Sequence, residues 1–474
     1  MRILLVQPGE GKGVLSRYLG RVEPLGLEAV AGGLRGHDVH LVDLRIEDNL
    51  EEELEHFHPQ LCGISCSFTV DTYRALEVAQ IVKESGEESR PFVVIGGHHA
   101  SLNPTHFHHR AVDAVVIGEG EWTLAELVEC LERGREVRTV RGLVLNTESR
   151  QIRTGVRPLT QNLDSLPMPA RELTRRNRKR YYIGGSWPLA VLETARGCPY
   201  RCNFCSVWQF YRGRYRAKSP TRVADEIASV EEPYILLTDD NFLAEPERAR
   251  QIAILLKARG VRHRYTFQAR SDSIVAHPDL ISLWRQIGLD AVFVGLEKID
   301  QAELLKVNKA NSVDSNDRAL EVLHREGVGV TGSFIVDPSW ERKDFEALRR
   351  YVRMHRIEVP SFSVLTPLPG TVLYRQVRER LQTGDYELFD FLHAVLPTQL
   401  PLPEFYTELA ALYRSSYSMS RMLFEQVRAQ WRRLLRGSIS ISQLRALMGA
   451  ARSVTTAGCY LAGHTSREPH LINR

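Results

Sequence analysis

The chain has 474 residues with a formal net charge of +4, of which 43% are hydrophobic and 25% are charged. This composition excludes a largely disordered chain, a fibrous protein and a disulfide-rich mini-protein, and the length allows about three domains. The balanced charge disfavours a protein that binds nucleic acid through bulk electrostatics. The apolar run at the start of the chain ends at Val6 and is too short for a signal peptide, so we expect a cytoplasmic protein.

Residues 1–145 predict a doubly wound, Rossmann-like α/β domain. Short apolar strands alternate with helical patterns, which is typical of a parallel sheet. The predicted strands are Ile3–Val6, His40–Val42, Leu61–Ser65, Phe92–Ile95, Ala114–Ile117 and Arg141–Leu145. The predicted helices are Leu25–Leu34, Thr69–Glu84 and Glu121–Arg133.

Small or polar residues follow three of these strands, at the ends where open α/β sheets bind ligands. The candidate binding residues are Ser65, Gly96, Gly97, His98, Gly118 and Glu119. The two adjacent glycines would let a large ligand approach the backbone closely. Tight turns and helix caps explain the same residues equally well. Neither a G-x-G-x-x-G after the first strand nor a Walker A motif is present, which disfavours a nucleotide cofactor.

Residues 146–185 predict a linker, because 163–171 contain two prolines and no regular period. The basic run 175–180 within it predicts a solvated face, or a contact with an anionic cofactor or lipid headgroup.

Residues 186–375 predict a partial (β/α)6 barrel with its chemistry at the carboxyl ends of the strands. The predicted strands are Leu189–Thr194, Tyr234–Leu237, Tyr265–Gln268, Ala291–Gly295, Gly329–Ile335 and Ser361–Leu365. The predicted helices are Pro220–Ser229, Pro246–Ala258, Pro278–Gln286, Asp317–Glu326 and Lys343–His355. One polar residue after a strand is often a helix cap, but polar residues follow five successive strands, which favours a functional site.

Three of the seven cysteines, Cys198, Cys202 and Cys205, form a C-x3-C-x2-C loop after the first barrel strand. Closely spaced thiolates favour a soft metal. A structural zinc site needs four ligands, whereas three thiolates suit a [4Fe–4S] cluster with one open iron. The alternatives are a zinc site completed by a distant ligand and a chance grouping. Cys62 and Cys66 are predicted at the N-terminal crevice, and Cys130 and Cys459 as packing residues.

The cysteine loop resembles the signature of the radical S-adenosylmethionine (SAM) superfamily. The resemblance implies that the three cysteines bind a [4Fe–4S] cluster whose fourth iron is chelated by SAM. It further implies that Asp239, Asp240 and Asn241 hold the SAM amino group and that Arg270 and Glu297 meet its carboxylate or ribose. By the same resemblance, Phe204 lies near the adenine, and Phe334 and Ile335 back it.

The first 145 residues resemble the cobalamin-binding domain that precedes many radical SAM domains. The matching stretches are Pro24–Leu27, Gly36-His37, Val94–His98 and the segment from Asp113 to Glu121. One feature departs from many cobalamin proteins: the Asp-x-His-x-x-Gly motif is missing, and 9–15 contain no histidine. We therefore expect no histidine ligand from that loop on the lower face of cobalt, which would make the metal easier to reduce.

Residues 376–474 predict an α-helical C-terminal extension with helices at Phe405–Tyr413 and Met422–Leu435. The second is basic, amphipathic and contains Trp431, so it either lies on an anionic membrane surface or packs on the core with a solvated arginine face. The preceding segment 389–405 is similar to that of the hopanoid C-3 methylases, whose substrates are lipids.

Together the domains resemble the cobalamin-dependent, class B radical SAM methylases. The resemblance implies methylation of an unactivated carbon, with one SAM supplying the methyl group through cobalamin and another the 5′-deoxyadenosyl radical. The implied partners are a small-molecule or lipid substrate and a reductant such as flavodoxin or ferredoxin. The alternative enzyme is a cobalamin-dependent radical cyclase or oxidase without net methyl transfer, and the alternative class is a non-catalytic sensor.

Overall fold

The computed structural model describes residues 1–10, 20–85, 90–416 and 454–465. It confirms the α/β architecture, with a sheet in the N-terminal region, a second sheet in the barrel and a helical C-terminal extension. Within these ranges no helix is long and apolar enough to cross a membrane. The predicted helix 422–435 and most of the loop 9–15 fall outside them.

The N-terminal sheet has seven strands in the order β2-β1-β3-β4-β5-β6-β7 in the described residues. Ile3, Leu4, Leu5 and Val6 are fully buried, because β1 lies inside the sheet with helices on both faces. The strands are β1 Arg2–Gln7, β2 Asp38–Asp43, β3 Leu61–Ser65, β4 Phe92–Gly96, β5 Ala114–Val116, β6 Leu143–Asn146 and β7 Gln151–Arg153. The helices are α1 Leu25–Gly32, α2 Leu50–Phe57, α3 Thr72–Glu84, α4 His98–Leu102 and α5 Gly120–Glu132.

The expectation of a wholly parallel sheet was wrong at one edge. Strands β1 to β5 pair in parallel, but β6 pairs antiparallel with β5 and β7 antiparallel with β6. A tight turn makes this hairpin, in which the Thr147 N–H donates to the Arg150 carbonyl oxygen at 2.9 Å. Such a turn can join only antiparallel neighbours. The sheet therefore continues beyond residue 145, into the segment predicted as a linker.

The rest of that segment contains 3-10 turns at Leu163–Ser165 and Arg171–Arg180. Its basic run does not form a uniformly solvated face. Arg178 pairs with the buried carboxylate of Glu23, and Arg176 donates to Glu47 at 2.6 Å. Because Glu23 also accepts from the Val191 N–H of the first barrel strand at 2.6 Å, the segment ties the two sheets together.

The barrel is an open sheet of six parallel strands in the order β15-β14-β13-β12-β11-β8. The strands are β8 Leu189–Leu192, β11 Tyr234–Leu237, β12 Arg264–Ala269, β13 Leu289–Glu297, β14 Gly329–Val336 and β15 Val359–Val364, and the short β9 Ala195–Arg196 and β10 Arg216–Ala217 form a separate pair. The helices are α6 Val207–Phe210, α7 Pro220–Ala228, α8 Pro246–Ala258, α9 Ser271–Ala276, α10 Pro278–Gln286, α11 Gln301–Lys306, α12 Val313–Arg325, α13 Arg342–Met354 and α14 Val372–Val377. The predicted order of strands and outer helices is confirmed.

The C-terminal extension packs on the open side of the barrel. Helix α15 Leu402–Ser416 buries Phe405, Tyr406 and Leu409 in the barrel core, and α16 Ala457–Thr465 lies against α15. The Tyr413 hydroxyl donates to the Phe362 carbonyl oxygen at 2.5 Å. The first predicted helix of the extension is thus confirmed.

Candidate active site

A cavity of about 240 Å³ lies where the carboxyl ends of the two sheets face each other. Its N-terminal wall consists mostly of glycines and apolar side chains together with two carboxylates, contributed by Leu5, Leu25, Gly26, Leu27, Ala29, Val30, Gly63, Ile64, Ser65, Ser67, Val94, Gly96, Gly97, Val116, Gly118, Glu119, Gly120, Glu121 and Leu124. Its barrel wall presents Glu193, Arg196, Phe210, Tyr211 and Thr238. Both walls are strand ends and the loops that follow them, as expected for ligand sites of such sheets.

The structure brings five of the six residues predicted for the N-terminal crevice to this cavity. Ser65, Gly96, Gly97, Gly118 and Glu119 all line it.

His98 does not line the cavity and instead joins the two walls. Its Nε2 lies 2.9 Å from the Ser206 hydroxyl, and its ring stacks on Phe210 at 4.6 Å. Burial lowers the pKa of His98 to about 4, so the ring is neutral near pH 7.

The glycines of the N-terminal wall fit a large, flat ligand. Gly97 has a φ of 119°, and a Cβ there would lie 2.6 Å from the Cys66 carbonyl oxygen. At Gly118 and Gly26 a Cβ would meet no protein atom within 4 Å, because both positions face open space. Gly26 and Gly118 therefore leave space for a ligand at the strand ends, while Gly97 allows two loops of the wall to pack closely.

Cys62 and Cys66 were predicted at this crevice, and that prediction was wrong. Both thiols are fully buried in the apolar core on the α3 side of the sheet, away from the cavity. Side chains alternate between the two faces of a strand, so Cys62 lies on the face opposite Gly63, and neither Cys62 nor Cys66 lines the cavity. Burial raises the pKa of the Cys62 thiol to about 12, as befits a packing residue.

The three clustered cysteines lie on a compact loop after β8 and β9. Gly197 opens the loop with a φ of 89°, and a Cβ there would collide with the Arg214 carbonyl oxygen. The Cys202 carbonyl oxygen accepts from the Cys205 N–H at 3.2 Å and from the Trp208 indole N–H at 3.0 Å. These bonds fold the loop back on itself, and the three thiols lie near enough that neighbouring cysteines help to raise the pKa values of Cys198 and Cys205.

The thiols need a cation to become thiolates. Burial raises the pKa of Cys205 to about 12, and nearby Asp240 and the other two cysteines add to the effect. In the described residues no three His, Cys, Asp or Glu side chains converge as a single-ion metal site. A [4Fe–4S] cluster places each thiolate on a different iron, so its ligands need not converge on one point. Three soft donors on one loop fit such a cluster.

Three residues of the acidic segment after β11, Asp239, Asp240 and Asn241, differ in how they are bonded. Asp239 is already engaged, because its carboxylate accepts from the Thr194 N–H at 2.6 Å and from the Thr194 hydroxyl at 2.5 Å. Burial raises the pKa of Asp240 to about 7, and the nearby Asp239 and Glu193 carboxylates add to the rise. Asn241 is buried with both amide atoms unpaired within the described part of the chain. A buried amide without a partner fits a polar ligand such as SAM.

The other predicted SAM residues lie on the same side of the barrel, each with its own partner. The Arg270 guanidinium stacks 3.5 Å from the centre of the Tyr200 ring and donates to Asp272 at 2.9 Å. Glu297 has a φ of 64° after a bulge in β13 and accepts from the Lys309 ammonium at 2.7 Å. Phe204 is half-buried in the cysteine loop.

A buried ion network that the sequence did not predict lines the cavity. Arg196 donates to Glu119 at 3.0 Å, to Glu121 at 2.5 Å and to Glu193 at 2.7 Å, and Arg216 donates to Glu119 at 2.8 Å. Two of these carboxylates come from the N-terminal sheet and both arginines from the barrel. Burial alone would raise the pKa of Glu119, but Arg196, the Thr160 N–H and Arg216 outweigh it and hold the pKa below its ordinary value.

Comparisons with known proteins agree with this arrangement. The family described as "B12 binding domain" matches residues 11–128, and the "Radical SAM superfamily" matches residues 192–352. The hopanoid C-3 methylase of Methylococcus capsulatus is 36% identical over 405 residues, which cover 84% of this chain and 77% of that protein. The chain belongs to the cobalamin-dependent radical SAM methylases. It is a methyltransferase that uses a [4Fe–4S] cluster, SAM and cobalamin.

The chain is also similar to a cyclase and to a methyltransferase of known structure. The anaerobic magnesium-protoporphyrin IX monomethyl ester cyclase of Rubrivivax gelatinosus is 26% identical and is covered over 77% of its length by 87% of this chain. The structure of the methyltransferase TsrM from Kitasatospora setae aligns with a TM-score of 0.69 at 19% identity, covering 87% of this chain and 88% of that one. The latter likeness confirms the fold.

Proposed function

We propose that this methylase transfers a methyl group to an unactivated carbon of a lipid, and that its reaction is C-3 methylation of a hopanoid. The observation that carries the proposal is the 36% identity with the hopanoid C-3 methylase across 84% of the chain. The largely apolar cavity supports it, since a lipid skeleton offers few polar groups to bind.

The residues divide between the three cofactors. We assign Cys198, Cys202 and Cys205 to the cluster. Asp240, Asn241, Arg270, Glu297 and Phe204 are assigned to SAM, with Asp239 fixing their loop through Thr194. Ser65, Gly96, Gly97, Gly118 and Glu119 are assigned to cobalamin, with His98 bracing the wall. When bound, cobalamin carries the methyl group, and the cluster supplies the electron that cleaves SAM.

The protein itself holds the reacting groups in position and excludes water from the cavity. The ion network of Arg196 and Arg216 fixes the two walls relative to each other, so that groups held on each wall keep a constant separation. Phe210 and Tyr211 present aromatic faces to the cavity from the barrel side. A largely apolar chamber whose charges are paired across its two walls protects a carbon radical from water.

Lipid profiling tests the proposal most directly. We expect a host that carries the gene to accumulate a hopanoid heavier by one methylene than the lipid of a host without it. The anaerobically reconstituted enzyme should form both S-adenosylhomocysteine and 5′-deoxyadenosine from SAM. An unchanged lipid profile in a host that makes active enzyme would contradict the hopanoid substrate.

The likeness to the magnesium-protoporphyrin cyclase favours one alternative, a radical cyclase or oxidase without methyl transfer. That enzyme would release 5′-deoxyadenosine without S-adenosylhomocysteine. The same product analysis therefore decides between the two reactions.

The proposed substrate also bears on where in the cell the enzyme acts. A hopanoid substrate resides in a membrane, so we propose peripheral contact of this cytoplasmic enzyme with the inner membrane surface. The basic segment 422–435, outside the described residues, has the composition for it. Co-sedimentation with vesicles containing anionic phospholipid, compared with neutral vesicles, tests this contact.

A further inference from the structure

Five basic side chains form an exposed surface around the cysteine loop, which we name the loop basic patch. Its members are Arg201, Arg212, Arg214, Lys306 and Arg375. None of the five has a carboxylate within 4.0 Å among the described residues. Several exposed arginines elsewhere on the barrel have such a partner.

Those paired arginines provide the contrast. Arg250 pairs with Asp279 at 2.5 Å, Arg259 with Asp225 at 2.7 Å, and Arg342 with Glu404 at 2.6 Å. Elsewhere on the barrel, the surface thus offsets many of its positive charges locally. The positive charge of the patch is not offset, and it attracts an acidic surface.

Hydrogen bonds to the backbone bring the segments that carry the patch together. Asn203, inside the cysteine loop, donates from its side chain to the Lys306 carbonyl oxygen at 2.9 Å, and its own carbonyl oxygen accepts from the Leu373 N–H at 2.9 Å. The ends of α11 and α14 therefore meet at the loop.

The basic turn after α6 joins the same surface. A Cβ on Gly213 would lie 3.5 Å from a terminal nitrogen of the Arg201 guanidinium, which places the 212–214 turn beside the loop. Leu305, which precedes the patch residue Lys306 in α11, is a large apolar side chain that is 69% exposed. Exposed apolar side chains beside charged ones are a usual composition for a protein contact.

We propose that the loop basic patch is the docking site for an acidic one-electron carrier protein of the flavodoxin class. The inference rests on the proposed assignment of the cluster to the three cysteines, because the patch surrounds that loop. Each SAM cleaved at its sulfonium–C5′ bond consumes one electron, while the carrier flavin passes from hydroquinone to semiquinone. Electron-transfer partners form small, charge-steered and short-lived contacts, which suits an open charged surface.

The docking site predicts a specific response to charge reversal. In the triple variant Arg212→Glu, Lys306→Glu, Arg375→Glu, the rate of 5′-deoxyadenosine formation driven by reduced flavodoxin should fall about tenfold or more at low salt, given the size of steered association. The rate driven by titanium(III) citrate should stay unchanged. Both rates are measured on the reconstituted holoenzyme without lipid substrate, so the result does not depend on the hopanoid assignment.

A matched control separates the patch from bulk charge. The triple variant Arg135→Glu, Arg262→Glu, Arg353→Glu changes the net charge equally, at exposed positions near the amino ends of the strands. We expect it to keep most of the flavodoxin-driven rate. Binding of oxidised flavodoxin, followed by titration of the holoenzyme, should weaken in the patch variant and not in the control.

Three outcomes would overturn the docking site. One is an equal loss with both reductants, which would show that the side chains serve the cluster loop itself. Another is unchanged flavodoxin binding and rate in the patch variant. The last is a patch variant that loses only its affinity for vesicles of anionic phospholipid, which would make the surface a membrane contact.

Discussion

The two walls of the cavity are built from the same kind of strand ends but with different chemistry. The N-terminal wall offers mostly glycines and apolar side chains beside the carboxylates of Glu119 and Glu121, whereas the barrel wall presents Glu193, Arg196 and two aromatic rings. The cysteine loop and the acidic segment follow strands of the same barrel. A large preformed cofactor needs space and close backbone approach, while the cleavage of SAM needs ligands and fixed charges. One wall therefore provides space for a cofactor, whereas the other provides charged and aromatic side chains.

Removing a thiol of the cysteine loop should lower the activity more than any other single change. We expect Cys205→Ala to lose cluster iron and to lower 5′-deoxyadenosine formation by about 10³-fold or more, because no nearby side chain can replace the ligand. Iron analysis and product assay measure both. Cys459→Ala, which removes the isolated thiol of α16, is the control and should retain activity. Full activity in Cys205→Ala would contradict the cluster assignment.

Breaking the ion network tests whether the two walls depend on each other. Arg196→Met leaves Glu119 and Glu121 buried near a single remaining arginine, which should cost about 3–5 kcal/mol in the free energy of unfolding. Denaturant unfolding measures the change, and adding Glu121→Met should recover part of it. Arg342→Met removes an exposed pair and should cost less than about 1 kcal/mol. Similar losses in both variants would mean that the network does not couple the walls.

Filling the N-terminal wall should block cobalamin without harming the fold. Gly26 lies in α1 with open space around its missing Cβ, so Gly26→Trp projects a large ring into the cavity. We expect cobalamin affinity to fall about 100-fold, which corresponds to about 2.7 kcal/mol. Gly26→Ala is the matched control, since it should stabilise the helix by up to about 1 kcal/mol. Equal affinity in both variants would place the cofactor elsewhere.

Low pH should reduce the stability of the N-terminal region, because its buried histidines are held neutral. We expect this to be the smallest of the four effects. Burial lowers the pKa of His99 to about 3, and the neighbouring His106 and His98 contribute. The unfolded chain binds the proton near pH 6.5 and the folded chain does not, so stability falls as the pH drops below that value.

His99→Gln isolates this contribution from that of other groups. We expect it to remove about 1–2 kcal/mol of the stability difference between pH 7.5 and pH 5. Glu28 and Asp71 have raised pKa values, to about 7 and about 6, and act in the opposite direction, so the comparison is between wild type and variant. An identical pH profile in the two proteins would show that His99 is not kept neutral by burial.

Patterns local to the chain predicted most of the fold. The strand Leu61–Ser65 and the helix Pro246–Ala258 have the predicted ends, because turn residues and prolines mark them. Helix Leu50–Phe57 was overlooked although Leu50, Leu54 and Phe57 share one face. The hairpin of β6 and β7 could not be predicted from its residues. The residues of a short apolar strand do not indicate whether it pairs parallel or antiparallel with its neighbour.

The sequence alone determined the cysteine loop, the order of strands and helices, and the strand ends where ligands bind, because ligand spacing and period are local properties. Only the tertiary structure decided which groups meet. Arg196 pairs with Glu119 and Glu121 across the two walls of the cavity, and Asp239 accepts hydrogen bonds from Thr194. Five cationic side chains lie around the cysteine loop. The tertiary structure also moved Cys62 and Cys66 from the crevice into the core. Such pairings depend on packing between segments far apart in the chain, and that packing cannot be inferred from local spacing.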